Sequence, residues 1–112
     1  MTVAEKPAAA TGAIPAAAEL VARARALAPK LKERAVKAER DRNIPRESVE
    51  EYLVSGLIHT LQPKRWGGYE MDPRVFYSVQ MALAEGCMAT AWVYGVVGVH
   101  NWQIPLFPEQ AQ

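Results

Sequence analysis

Between residues 90 and 102 the sequence reads Thr-Ala-Trp-Val-Tyr-Gly-Val-Val-Gly-Val-His-Asn-Trp, apolar at nearly every position. A helix that is hydrophobic all round has to be covered on several sides, so this segment predicts a central element with other helices around it. Its most apolar stretch, Ala91 to Val99, falls well short of the ~20 residues that cross a bilayer. It also runs into His100, Asn101 and Gln103, which makes it a buried helix and not a membrane anchor. Gly95 and Gly98 each cost about 1 kcal/mol against alanine inside a helix. Something must come close to that backbone, either a neighbouring helix or a flat ligand, and the sequence leaves both open.

The remainder of the chain predicts an all-α fold. Over residues 16–42, Leu20, Ala24, Leu27, Leu31, Ala35 and Ala38 recur at spacings of three and four and form one apolar stripe. Pro29 removes a backbone hydrogen bond there, which predicts a kink or a fresh helix start. A short second helix opens at Pro45 with Glu47 near its positive end. Val49, Tyr52 and Leu53 give its inward face, and Gly56 is its left-handed cap, with Leu57 folding back on Tyr52. Residues 57–69 read as a loop, with Pro63, the Gly67-Gly68 pair and Trp66 as an aromatic plug. Asp72-Pro73 opens a further helix whose buried stripe is Val75, Phe76, Val79, Ala82 and Leu83, and Gly86 ends it. No repeat, βαβ alternation or strand is visible. Residues 1–15 read as a mobile Ala/Pro-rich leader and residues 16–112 as one helical domain. Pro108-Glu109 opens another helix at the very end, which predicts that the domain continues beyond Gln112.

Thirteen basic and twelve acidic residues nearly cancel. They also alternate in sign, as at Lys32, Glu33 and Arg34, so neither nucleic acid nor an anionic membrane is called for as a partner. Cys87 is the single cysteine, which excludes an intrachain disulfide and fits a reducing cytoplasm. Its apolar surroundings suggest a small buried hydrophobe. His59, Cys87 and His100 match no zinc spacing, and no metal site is expected. His59 falls on a turn expected to be exposed. Phosphate-binding glycine loops and nucleophile elbows are absent. His100 stands out because an imidazole on an apolar helix must find a partner. It is either a satisfied core histidine or a group able to hydrogen-bond a phenolate or move its proton. Trp66, Trp92 and Trp102 are either core anchors or an aromatic binding surface. Trp92 and His100 lie eight residues apart, about 80° around and roughly 12 Å along one helix, so they suit two ends of an elongated pocket.

Leu61-Gln-Pro-Lys-Arg-Trp-Gly-Gly68, with Arg42-Asn-Ile-Pro45 upstream, resembles the N-terminal helical domain of acyl-CoA dehydrogenase-like proteins. Cys87-Met-Ala-Thr-Ala-Trp92, Gly98-Val-His-Asn-Trp102 and Leu106-Phe-Pro-Glu-Gln-Ala-Gln112 narrow the resemblance to one branch. These are the oxygenase components of two-component, flavin-dependent phenol monooxygenases. Within the branch the chain is most similar to those acting on the phenolic secosteroid of steroid degradation. The oxygenase of 4-hydroxyphenylacetate 3-hydroxylase is more distant. The similarity runs from about Ala35 to Gln112.

The resemblance implies a cytoplasmic oxidoreductase that takes reduced FMN, or FADH2, from a separate flavin reductase. With O2 and no metal, it would ortho-hydroxylate a phenol through a flavin hydroperoxide. It implies that Trp92 contacts the cofactor and that His100 contacts the substrate phenol as the catalytic group. It also implies a β-domain and a C-terminal helical bundle after the helical domain, assembly as a homotetramer, and no activity from this segment alone. Met88 departs from the family pattern, where a smaller residue is usual, and puts the shape of the helix start in question. Two alternatives stand beside this reading: a dehydrogenase of the same fold acting on an acyl thioester, and a non-catalytic helical interaction module.

Overall fold

The computed structural model describes residues 13–112 and contains four α-helices joined by short turns, with no strand among the described residues. Most of the leader expected over residues 1–15 lies outside the described residues. The helices are α1 (Ala17–Asp41), α2 (Arg46–Val54), α3 (Pro73–Ala84) and α4 (Met88–Gln103). Tight 3-10 turns at Leu57–His59 and Lys64–Trp66 shape the α2–α3 connection, and two more follow α4.

The apolar stripe of α1 is buried at Leu20, Ala24, Leu27, Leu31 and Ala38. α1 runs unbroken through Pro29, so the alternative of a fresh start there is not realised. Pro29 and Arg25, whose carbonyl loses its partner, are both exposed, so water can replace the missing bond. α1 packs along α3, and α3 packs along α4. Asp72 caps α3 by accepting from the Arg74 amide at 2.8 Å, with Pro73 in the first turn.

α2 is held by polar contacts more than by its apolar residues. Arg34 of α1 grips Glu51 with both guanidinium nitrogens, at 2.6 and 3.2 Å, and also donates to buried Ser48 at 3.2 Å. Arg23 donates to the Ser55 carbonyl at 2.8 Å, at the negative end of α2. Gly56 follows at φ 79, against the Tyr69 hydroxyl, and turns the chain so that Leu57 and Tyr52 share the core. The expected inward face of α2 needs correction. Tyr52 is buried, but Val49 and Leu53 are exposed, and Ser48 takes the buried place. A helix anchored by Ser48 and Glu51 turns that flank inward, which leaves the two aliphatic residues outside.

At the centre stands a set of aromatic rings. Phe76 stacks on Tyr94 at 5.0 Å between centroids, and Tyr52 meets Tyr94 edge-on at 5.4 Å. The Tyr94 hydroxyl donates to the Leu57 carbonyl and the Tyr52 hydroxyl to that of Thr90, both at 3.0 Å. Burial pushes both phenols well above their ordinary values, so they stay protonated donors.

The helix glycines have a structural cause. A Cβ on Gly98 would lie 2.5 Å from the Phe76 ring, and one on Gly95 would lie 2.0 Å from the Gln80 amide. Of the two explanations the sequence left open, the neighbouring helix accounts for both.

Gly98→Ala should destabilise the fold by about 1–3 kcal/mol, because the buried Phe76 ring is packed against both Gly98 and Tyr94 of α4 and has little room to step aside. Urea denaturation would show the loss as a lower midpoint. A second expectation concerns Glu51, whose carboxyl the Arg34 guanidinium holds below its ordinary 4.5. That contribution is complete above the unfolded-state value and fades as pH falls through the lower folded-state value. Glu51→Gln should therefore cost on the order of 1 kcal/mol at pH 7. Wild type and variant should converge well below pH 4.5 when denaturation is repeated in acid.

Candidate functional site

α4 is central on two sides only. Tyr94, Ala91, Thr90 and Gly98 face the core, whereas Trp92 is 67% exposed, with Val96, Val97 and Trp102 also exposed. The expectation of a helix covered on several sides is thus corrected: within this chain α1, α3 and the α2–α3 turn cover one half of α4. The other half carries Trp92, Val96, Val99 and His100, which recur at three- and four-residue spacing and form a stripe along the helix.

None of the three tryptophans is a core anchor. Trp92 and Trp102 are exposed, and Trp66 is half-buried, with its indole N–H reaching the Gln112 side chain at 3.4 Å and Arg65 over its ring at 5.0 Å. His59 is half-buried rather than exposed, bonded through Nδ1 to Gln62 and edge-on to Tyr69. Cys87 is buried in the core and accepts from the Thr90 hydroxyl at 3.3 Å. Among the described residues no cluster of His, Cys, Asp or Glu is placed to hold a metal ion.

A shallow groove of about 220 Å³ runs beside Trp92, walled by Phe76, Tyr77, Gly95, Val96 and Val99. Gln80 supplies the groove's side-chain amide. Its nitrogen donates to the Ala91 carbonyl at 3.2 Å, and the amide packs against Gly95. Sequence reasoning missed Gln80, because a glutamine on a half-exposed helix face carries no signal until the glycine opposite it is known to be its seat. A separate cleft of about 200 Å³ lies between the 57–71 turn and the C-terminal residues, lined by Gln62, Trp66, Asn101 and Gln112 among others. Asn101 joins its two sides by donating to the Ile58 carbonyl at 2.9 Å.

His100 is exposed and not buried, and its Nδ1 is hydrogen-bonded to the Val96 carbonyl. A carbonyl oxygen only accepts, so Nδ1 carries the proton. In the neutral ring this leaves Nε2 with a free lone pair. Trp92 and His100 both lie on the exposed half of α4, but they do not line the two ends of one groove as expected: His100 borders neither concavity. Trp92 offers a flat, accessible indole beside an apolar trough, and His100 offers an accessible acceptor about two turns further on.

The residue pattern of the acyl-CoA dehydrogenase N-terminal domain matches residues 15–112. The chain is 46% identical over 87 residues to the oxygenase subunit HsaA of a flavin-dependent monooxygenase from Rhodococcus jostii, covering 78% of this chain and 23% of that protein. It is 34% identical over 84 residues to the oxygenase component of p-hydroxyphenylacetate 3-hydroxylase from Acinetobacter baumannii, covering 75% and 20%. The crystal structure of the HsaA monooxygenase from M. tuberculosis superposes with a TM-score of 0.83 at 38% identity, over 88% of this chain and 27% of that one. The chain spans about a quarter of the length of these relatives.

Because Trp92 is exposed and touches little of the core, Trp92→Ala should change the unfolding free energy by less than about 0.5 kcal/mol. A thermal melt showing a loss several times larger would make the indole a structural residue.

Proposed function

The chain belongs to the acyl-CoA dehydrogenase N-terminal domain family, and on that premise we propose that it is the α-helical wall of a reduced-flavin-dependent phenol monooxygenase. The similarity to oxygenase subunits of flavin-dependent monooxygenases carries this reading. The reaction is hydroxylation of the carbon ortho to a phenolic hydroxyl, with a phenolic secosteroid of steroid degradation as the substrate class. The cofactor is a reduced flavin, FMN or FADH2, delivered by a separate flavin reductase, and the full-length enzyme is a cytoplasmic homotetramer.

The residues present fit a flavin along one side. The exposed Trp92 indole and the apolar trough beside it suit a flat aromatic ring, and no charged side chain intrudes among the trough's lining residues. When bound, the reduced flavin would supply the activated oxygen. Trp92 would orient the ring by stacking. Val96 and Val99 would keep water from the space next to it.

His100 is assigned the phenol. With Nδ1–H committed to the Val96 carbonyl, its Nε2 lone pair accepts the phenol O–H. Proton transfer breaks that O–H bond, forms Nε2–H, and leaves a phenolate facing an imidazolium. The phenolate is the more electron-rich ring and the better nucleophile at its ortho carbon. The new Nε2–H then donates back to the phenolate oxygen and holds it in place.

In the full-length oxygenase, Trp92→Ala should weaken reduced-flavin binding about tenfold or more. His100→Ala should lower hydroxylation about 100-fold, the range of a lost general base, with flavin affinity nearly unchanged. Flavin titration and product analysis on the two variants separate the roles. Equal loss of both properties in His100→Ala would remove the function assigned to it, and undiminished flavin binding in Trp92→Ala would remove that of the tryptophan.

A further inference from the structure

We propose that Gln80 is a recognition residue of the Trp92 groove, whose amide oxygen accepts a hydrogen bond from the N3–H edge of the flavin ring. The inference rests on the flavin reading above and extends it to a residue on α3.

Four observations converge on this side chain. Gln80 brings an amide to a groove otherwise walled by Phe76, Tyr77, Trp92, Gly95, Val96 and Val99. Its orientation is set, because the atom facing the Ala91 carbonyl at 3.2 Å has to be the nitrogen. The oxygen has no hydrogen-bond partner among the described residues and is not a buried unsatisfied atom, so it is accessible from outside the core. Gly95 then makes room for the amide: a Cβ there would meet the Gln80 nitrogen at 2.0 Å and its carbonyl carbon at 2.8 Å.

A helix-interior glycine costs about 1 kcal/mol against alanine. An amide needed only for packing could be replaced by an aliphatic side chain and an alanine. An oriented acceptor at the edge of an apolar trough is, by contrast, the arrangement that reads a ligand: apolar walls hold a flat ring, and one placed polar group sets its direction. The ligand chemistry it selects is a planar ring with an N–H donor on its rim. Ala91, which fixes the amide, is the neighbour of Trp92, so the acceptor lies beside the ring-stacking residue and about two turns from His100. That placement selects the flavin over the phenol. N3–H is the ring donor present in both oxidised and reduced flavin.

The test compares FMN with N3-methylated FMN, which lacks the donor, by fluorescence titration of the full-length oxygenase and its Gln80→Leu variant. Wild type should bind the methylated ring roughly tenfold more weakly, the range of one lost hydrogen bond. Gln80→Leu should bind both flavins alike, at the weakened level. If thermal unfolding shows that Gln80→Leu does not fold, Gln80→Met carries the same comparison with a more flexible apolar chain. A variant that still separates the two flavins tenfold overturns the role of Gln80 and leaves the flavin reading standing. Wild type that binds neither flavin overturns both.

Discussion

The approach of α3 to α4 at Gly98 sets most of the geometry around it. The Phe76 ring occupies the space a side chain would fill, and from there it stacks on Tyr94. Tyr94 then reaches the Leu57 carbonyl, which ties the α2–α3 turn to the central helix. Thr60 donates to the same carbonyl at 2.7 Å, so one backbone oxygen gathers two side chains in a buried place. A missing methyl group on α4 thereby decides where a ring sits on α3 and where a turn is pinned. Close packing transmits such a constraint because interior side chains have little free volume to absorb a displacement.

The polar ties to α1 play a different part. Arg34 and Arg23 bind α2 through Glu51, Ser48 and the Ser55 carbonyl, all outside the aromatic centre. They choose which flank of α2 turns inward. The result is an uncovered apolar surface, where Val49 and Leu53 join Ile44, Tyr52 and Val97 around a small, wholly apolar hollow of about 80 Å³. Hydrophobicity alone would have turned Val49 and Leu53 inward, and a bidentate ion pair with a buried hydroxyl prevents it.

The proposed chemistry asks the exposed half of α4 to work in a place free of water, and within this chain it is open. Trp92, Val96 and Val97 form an exposed apolar strip along it. The chain spans about a quarter of the length of these relatives, and under the proposed function the helical wall is one side of the site. The amide of Gln80 and the lone pair of His100 are the polar groups this wall would present to it.

Most of the secondary structure was legible in the chain because it depends on local physics. The periodic stripe of α1, the Asp72-Pro73 start of α3 and the left-handed Gly56 are set by spacing, capping and backbone sterics, which act within a few residues. Motif resemblance likewise brought the family into view. Contacts between elements distant in the chain were decided only by the tertiary structure. These include α1 continuing through an exposed Pro29, the burial of Ser48 in place of Val49, the tryptophans lying outside the core, and Gly95 being the seat of Gln80. Each depends on which neighbour occupies a given volume, and on whether water or a side chain meets a freed polar group. The periodicity of a single helix does not encode that.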